Sequence, residues 1–106
     1  MNIPPEQLQE IDLPEVMETF SDSLGVSSLD SQSARLTFCV RRMQPPKQGK
    51  PPLFKQYPVC RLVMPVSGLV DLSNQLNQLM AGLEKMGLVK VTPGKPAEAI
   101  DKTKIN

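Results

Sequence analysis

The period of the apolar residues changes once along this chain, and that change constrains the fold more than any other feature. From Pro65 onward apolar side chains fall at Leu69, Leu72, Leu76, Leu79, Leu83 and Met86. Their 3-4-3-4-3 spacing is the seam of one long helix, about three heptads in length. Pro65 suits a helix start, because a first-turn N–H has no intrahelical partner, and Gly87 suits a C-terminal cap. Before Pro65 the period is two. In ARLTFCVRRM (34–43) Leu36, Phe38 and Val40 alternate with Arg35, Thr37, Cys39 and Arg41. In YPVCRLVM (57–64) Cys60, Leu62 and Met64 alternate with Val59, Arg61 and Val63. Both read as strands. METFSDSLGVSS (17–28) alternates too, with Phe20, Leu24 and Val26 on one face and Asp22 breaking the apolar parity. An acid there needs a partner, which Arg35 or Arg41 on a neighbouring strand could supply. Turn residues 29–33 close a hairpin. Pro58 places the start of its strand at an edge or outside the ladder.

The order strand, strand, long loop, strand, long helix predicts an α+β domain. A small antiparallel sheet of three or four strands packs on one long C-terminal helix over residues 66–86. The domain spans 16–91. A flexible acidic arm (1–15) with Pro4, Pro5 and Pro14 precedes it, and a disordered polar tail (92–106) follows a short strand at 88–91. One domain of this size with four aromatic residues and no Trp has an aliphatic, marginal core. Small cores of that kind gain stability by oligomerising. The face beside the helical seam is mostly amide and serine (Ser73, Asn74, Gln75, Asn77, Gln78) rather than charged, which fits either a helix with one side on the sheet and its amides in water or, the reading favoured by the width of the apolar stripe, a helix half-buried on two sides. Leu69, Leu72, Leu76, Leu79 and Leu83 are therefore the candidate self-interface of a homo-oligomer.

Charge is segregated beneath a net charge of +1. Residues 1–33 carry Glu6, Glu10, Asp12, Glu15, Glu18, Asp22 and Asp30 and no base, whereas residues 34–64 carry Arg35, Arg41, Arg42, Lys47, Lys50, Lys55 and Arg61 and no acid. The basic charge is densest in RRMQPPKQGKPPLFK (41–55), the connection between the second and third strands. Its prolines favour an extended, partly polyproline conformation with a low ordering cost on binding. Arg41, Arg42, Lys47, Lys50, Phe54 and Lys55 are the candidate partner contacts. The leading expectation is an adaptor or chaperone-like binder of an unidentified protein partner. The alternative is a small accessory nucleic-acid-binding protein, in which the cations release counterions from phosphates and Phe54 and Tyr57 stack on bases. Against it stands a sequence pI of 7.7, low for a dedicated nucleic-acid binder. Two plainer alternatives are a solvated hairpin connection, and pairing of the acidic segment with the basic one within a chain or between subunits.

Catalytic constellations are missing. Histidine is absent, which removes the commonest general base and metal ligand. Cys39 and Cys60, without further Cys or His, make no zinc site, and the scattered glycines fit no phosphate-binding fingerprint. Arg41 could lower the pKa of Cys39, but a small strand thiol is the plainer reading. The expectation is no enzyme, no metal and no cofactor. With no span of 18 apolar residues and no signal-like start, a cytoplasmic protein with reduced thiols is expected.

The segments ETFSDSLGV (18–26), ARLTFCV (34–40) and CRLVMPVSGLVDLSNQLNQLMAGLEK (60–85) together resemble a family of short, uncharacterised bacterial proteins. That family has an aromatic-x-Asn/Asp strand, an "LxF" strand and an arginine strand running into "M-S/P-P" and a Leu-rich helix. Phe20 and Asp22, Leu36 and Phe38, and Arg61 to Pro65 stand at the matching places. Pro65-Val66 in place of Ser-Pro and the long basic loop depart from the pattern. The family has no settled activity, so the resemblance implies fold rather than function. The sheet-then-helix order is also loosely similar to the export chaperone SecB.

Overall fold

The structure is a computed structural model, and it describes residues 3–100. It has the α+β composition expected: a four-stranded antiparallel sheet and one long helix. The chain divides into two compact units, 1–67 and 68–106.

The first unit is built on a long ribbon. Strand β3 (Ser33–Met43) pairs antiparallel with β4 (Phe54–Pro65) over nearly its whole length. Two short strands, β1 (Ser23–Leu24) and β2 (Ser28–Leu29), also pair antiparallel with β3. The extended stretch expected over 17–28 is thus cut to two short pieces. Leu24 lies opposite Phe38 but Ser28 opposite Arg35, so four steps on one side face three on the other, and the ladder breaks between them. Val26 falls in this break and is exposed.

Upstream, the ladder stops at Asp22 for a visible reason. The Asp22 N–H donates to the Cys39 carbonyl (3.0 Å), and Asp22 Oδ1 accepts from the Arg41 N–H (3.0 Å). The carboxylate takes the amide that a continuing strand would bond through its own carbonyl. Asp22 therefore finds the partner its position demands, but the partner is the Arg41 backbone rather than a guanidinium. Residues 3–20 run on as an exposed arm, with a 3-10 turn at Pro5–Gln7 and a turn closed by Val16 N–H to the Leu13 carbonyl.

β4 begins three residues earlier than the sequence suggests, and Pro58 lies inside it. Phe38 faces Cys60 while Cys39 faces Pro58, so Val59 is the extra residue of a β-bulge. A proline has no N–H for a ladder and is tolerated at edge strands and bulges; Pro58 sits at both. Register partners share a face. One face carries Leu24, Leu29, Ala34, Leu36, Phe38, Val40, Tyr57, Cys60, Leu62 and Met64; the other carries Ser23, Arg35, Thr37, Cys39, Arg41, Gln56, Arg61 and Val63. Among the described residues only Ala34 and Cys39 are fully buried. Leu24 and Leu62 on the apolar face remain 57% and 43% exposed.

The second unit contains most of helix α1 (Val66–Lys85). The helix begins at Val66, directly after Pro65 as expected, and Pro65 is also the last residue of β4. The helix ends as Gly87 implies. Leu88 N–H donates to the Leu83 carbonyl (3.0 Å) and Gly87 N–H to the Glu84 carbonyl (3.0 Å), with Gly87 at φ 76°. That pair of bonds is a Schellman cap, and the left-handed φ is why glycine is needed there. Strand β5 (Val89–Lys90) pairs with β6 (Glu98–Ala99). Between them Thr92-Pro93-Gly94-Lys95 forms a turn, closed by Lys95 N–H to the Thr92 carbonyl (3.0 Å) with Gly94 at φ 78°. Proline then a left-handed glycine at the central positions is a type II turn. The prolines read as ending structure after Val91 therefore turn the chain back into a hairpin as far as Ile100. The rest of the expected tail, 101–106, lies outside the described residues. No described helix is long and apolar enough to cross a membrane.

Candidate functional site

The sequence stretch 41–55 folds as the closed end of the β3–β4 hairpin rather than as an extended strip. The ladder runs to Met43 opposite Phe54, and the Gln44 N–H donates to the Leu53 carbonyl (2.8 Å) beyond it. At the tip the Lys50 N–H donates to the Lys47 carbonyl (3.1 Å). Gly49 has φ 76°, and no non-glycine residue has positive φ among the described residues. Lys47-Gln48-Gly49-Lys50 is accordingly a type II turn with glycine at the position that requires it. The Pro45-Pro46 and Pro51-Pro52 pairs flank it on the two sides.

The loop encloses a cup of about 250 Å³. Pro45, Pro46, Pro51 and Leu53 give it hydrocarbon walls, and Lys47, Lys50 and Gln44 complete the lining. The cup was not foreseen from the sequence, although the signal was there: two proline pairs set almost symmetrically about KQGK bracket a space once the turn between them closes.

The six candidate partner-contact residues all lie on this hairpin end, but not on one face. Arg41 is on the polar face, where its Nε donates to Gln56 Oε1 (2.8 Å). Phe54 is on that same face, opposite Met43. Arg42 is on the other face, directly opposite Lys55. Lys47 and Lys50 are at the tip, on the cup. The register separates Phe54 from Tyr57, which lies opposite Val40 on the apolar face, so the two aromatics do not form the single stacking platform the sequence suggested.

The Arg42–Lys55 pair is the electrostatic anomaly of the sheet. Like charges directly opposite on neighbouring strands destabilise a sheet. No acid between residues 34 and 64 offsets this pair.

The candidate self-interface residues lie along α1. Leu76 and Leu79 are 47% and 64% exposed; Leu69, Leu72 and Leu83 are half-buried. Among the described residues no three His, Cys, Asp or Glu side chains are grouped to hold a metal ion. Cys39 and Cys60 are free thiols on adjacent strands, the first buried and the second half-buried.

No family model matches the chain, and neither a curated protein nor a solved structure matches it.

Proposed function

We propose that this chain is a non-enzymatic protein-interaction module, an adaptor or chaperone-like binder that acts as a homo-oligomer and grips an acidic segment of a protein partner with its basic hairpin end. The observation that carries this reading is Arg42 facing Lys55 across the ladder. Foldable sequences avoid such local conflicts except where function needs them. Two opposed cations, continued by Lys47 and Lys50 at the tip, make a site whose missing component is an anion. The site also offers apolar contact through Leu53, Phe54 and the proline walls, and Leu53 and Phe54 are exposed. Bare phosphate would make no use of those walls; a peptide with mixed acidic and apolar side chains would use both. The homo-oligomer rests on exposed apolar surface, since soluble monomers rarely leave large contiguous apolar patches open. On this reading the protein works in the cytoplasm with reduced thiols, and the bacterial family resemblance concerns a scaffold rather than an enzyme.

The test is capture from lysate by the tagged full chain beside a Lys47→Ala, Lys50→Ala, Lys55→Ala variant, each with and without nuclease. Protein capture that survives nuclease and disappears in the variant supports the reading. Capture lost on nuclease treatment, with nucleic acid recovered from the untreated half, replaces it with the nucleic-acid reading of the same cations.

A further inference from the structure

We infer that the acidic arm, residues 8–20, of a second copy of this chain docks on the hairpin end, with Ile11 in the proline cup and Glu10 and Asp12 against Lys47 and Lys50. This rests on the reading of the hairpin end as a docking surface for acidic protein, and it names the occupant.

The cup sets the chemistry. At about 250 Å³ it is large enough to take one bulky apolar side chain. Its walls are proline and leucine and its two charged groups are lysines. The matching ligand is an apolar side chain with carboxylates next to it in sequence, within reach of the long lysine side chains.

The arm has that pattern. Glu10-Ile11-Asp12 places an apolar residue between two acids, and Leu13, Glu15, Val16, Met17 and Glu18 continue it. There is no Lys or Arg before Arg35. Every residue from 3 to 20 is exposed, including Ile11 at 62% and Met17 at 88%. A row of uncovered apolar side chains on a chain segment with few backbone bonds is poor design for a solvated tail, which would be polar throughout. Pro14 restricts the arm and lowers the cost of ordering it on a partner.

A second copy, rather than the arm's own hairpin, is the source. The arm's side chains are exposed while the cup formed by its own chain stands open. Reciprocal exchange of arms about a two-fold axis seats both arms in both cups, two identical contacts from one association. The opposite charges of the two segments steer that encounter.

The experiment mixes equal amounts of 14N- and 15N-labelled full-length protein and treats them with a carbodiimide, which joins carboxylates directly to lysine amines. Mass spectrometry then reads which peptides are joined and whether they carry one isotope or both. The expected result is Glu10 or Asp12 joined to Lys47 or Lys50 in mixed-isotope pairs. Ile11→Asp should lower their yield at least tenfold with circular dichroism unchanged, because the arm lies outside the sheet. Raising the salt to about 1 M, where screening acts within about 3 Å, should lower it as well. Absence of arm-to-hairpin products, or products of single isotope only, overturns the inference. If they are absent while nuclease-resistant, lysine-dependent capture persists, the occupant is wrong and the docking surface stands. If capture is nuclease-sensitive, the underlying reading falls.

Discussion

Two small residues in the first unit, Gly25 and Asp30, make contacts that only their own chemistry allows. At Gly25 an added Cβ would lie 2.9 Å from Cys39 Sγ and 3.4 Å from Thr37 Cγ2. The Gly25 N–H also donates to the Thr37 carbonyl (2.8 Å), so the backbone cannot back away without loosening the ladder. Cys39 is one of the two fully buried residues among those described. Gly25→Ala should therefore destabilise the unit by about 1–3 kcal/mol, the usual range for overpacking. Urea denaturation would measure it, and adding Cys39→Ala should recover part of the loss. Asp30 closes the β2–β3 turn by accepting the N–H groups of Gln32 (2.8 Å) and Ser33 (2.7 Å). Those two bonds, then the Ser33 hydroxyl, hold its carboxyl below the usual range. A lowered pKa in the folded chain means a contribution that is present above the unfolded value and is lost as pH falls through the folded one. In an acid titration followed by NMR, the Gln32 and Ser33 amide signals should move together at a pH below that of an unperturbed aspartate, and Asp30→Asn should abolish the step.

At the scale of elements, periodicity carried the fold as far as hydrogen bonding let it. β3 and α1 stand close to where their two- and 3.5-residue patterns put them, because in each the like residues line up along one face. What pattern could not reveal were side chains replacing backbone in the ladder. Residues 17–22 alternate like a strand, yet Asp22 occupies the Arg41 amide and the chain peels away as an arm. Pro58 reads as an edge or out-of-ladder position; it lies on an edge strand, where a bulge at Val59 lets β4 begin as early as Phe54. The six basic-loop candidates were legible as a cluster; their division between two faces was not, since it depends on register. In α1 the seam leucines keep substantial exposure at Leu76 and Leu79. If that stripe is a self-interface, Leu76→Asp places a charge at its centre. Light scattering should then show the mass of a monomer, or circular dichroism an unfolded chain. A folded variant of unchanged mass would remove α1 from the interface.

Taken whole, the molecule separates its charges along the sequence. Glu6, Glu10, Asp12, Glu15 and Glu18 lie on an exposed arm, Asp22 and Asp30 stay with the sheet, Asp22 on the Arg41 N–H, and Arg41, Arg42, Lys47, Lys50 and Lys55 collect at the closed end of the β3–β4 hairpin. A nearly neutral total therefore hides a bipolar chain, and bipolar chains can associate electrostatically with a partner, with each other or with a polyanion. Salt response tells these apart. Contact with duplex phosphates releases condensed counterions, and each one gives a slope of about −0.9 in log K against log salt. Were Lys47, Lys50 and Lys55 all on phosphates, changing the three to Ala would make the slope shallower by about 2.7. On the protein-docking reading, binding to duplex DNA is weak and the triple variant leaves its slope unchanged. Binding to an acidic peptide with apolar residues should fall at least tenfold in the same variant, and much of it should survive at high salt in the unaltered chain, because the proline walls and Phe54 contribute contacts that salt does not screen. Fluorescence anisotropy on one duplex and one peptide, across one salt series, measures all four quantities. A slope that changes by about three phosphates would identify the hairpin end as a nucleic-acid grip.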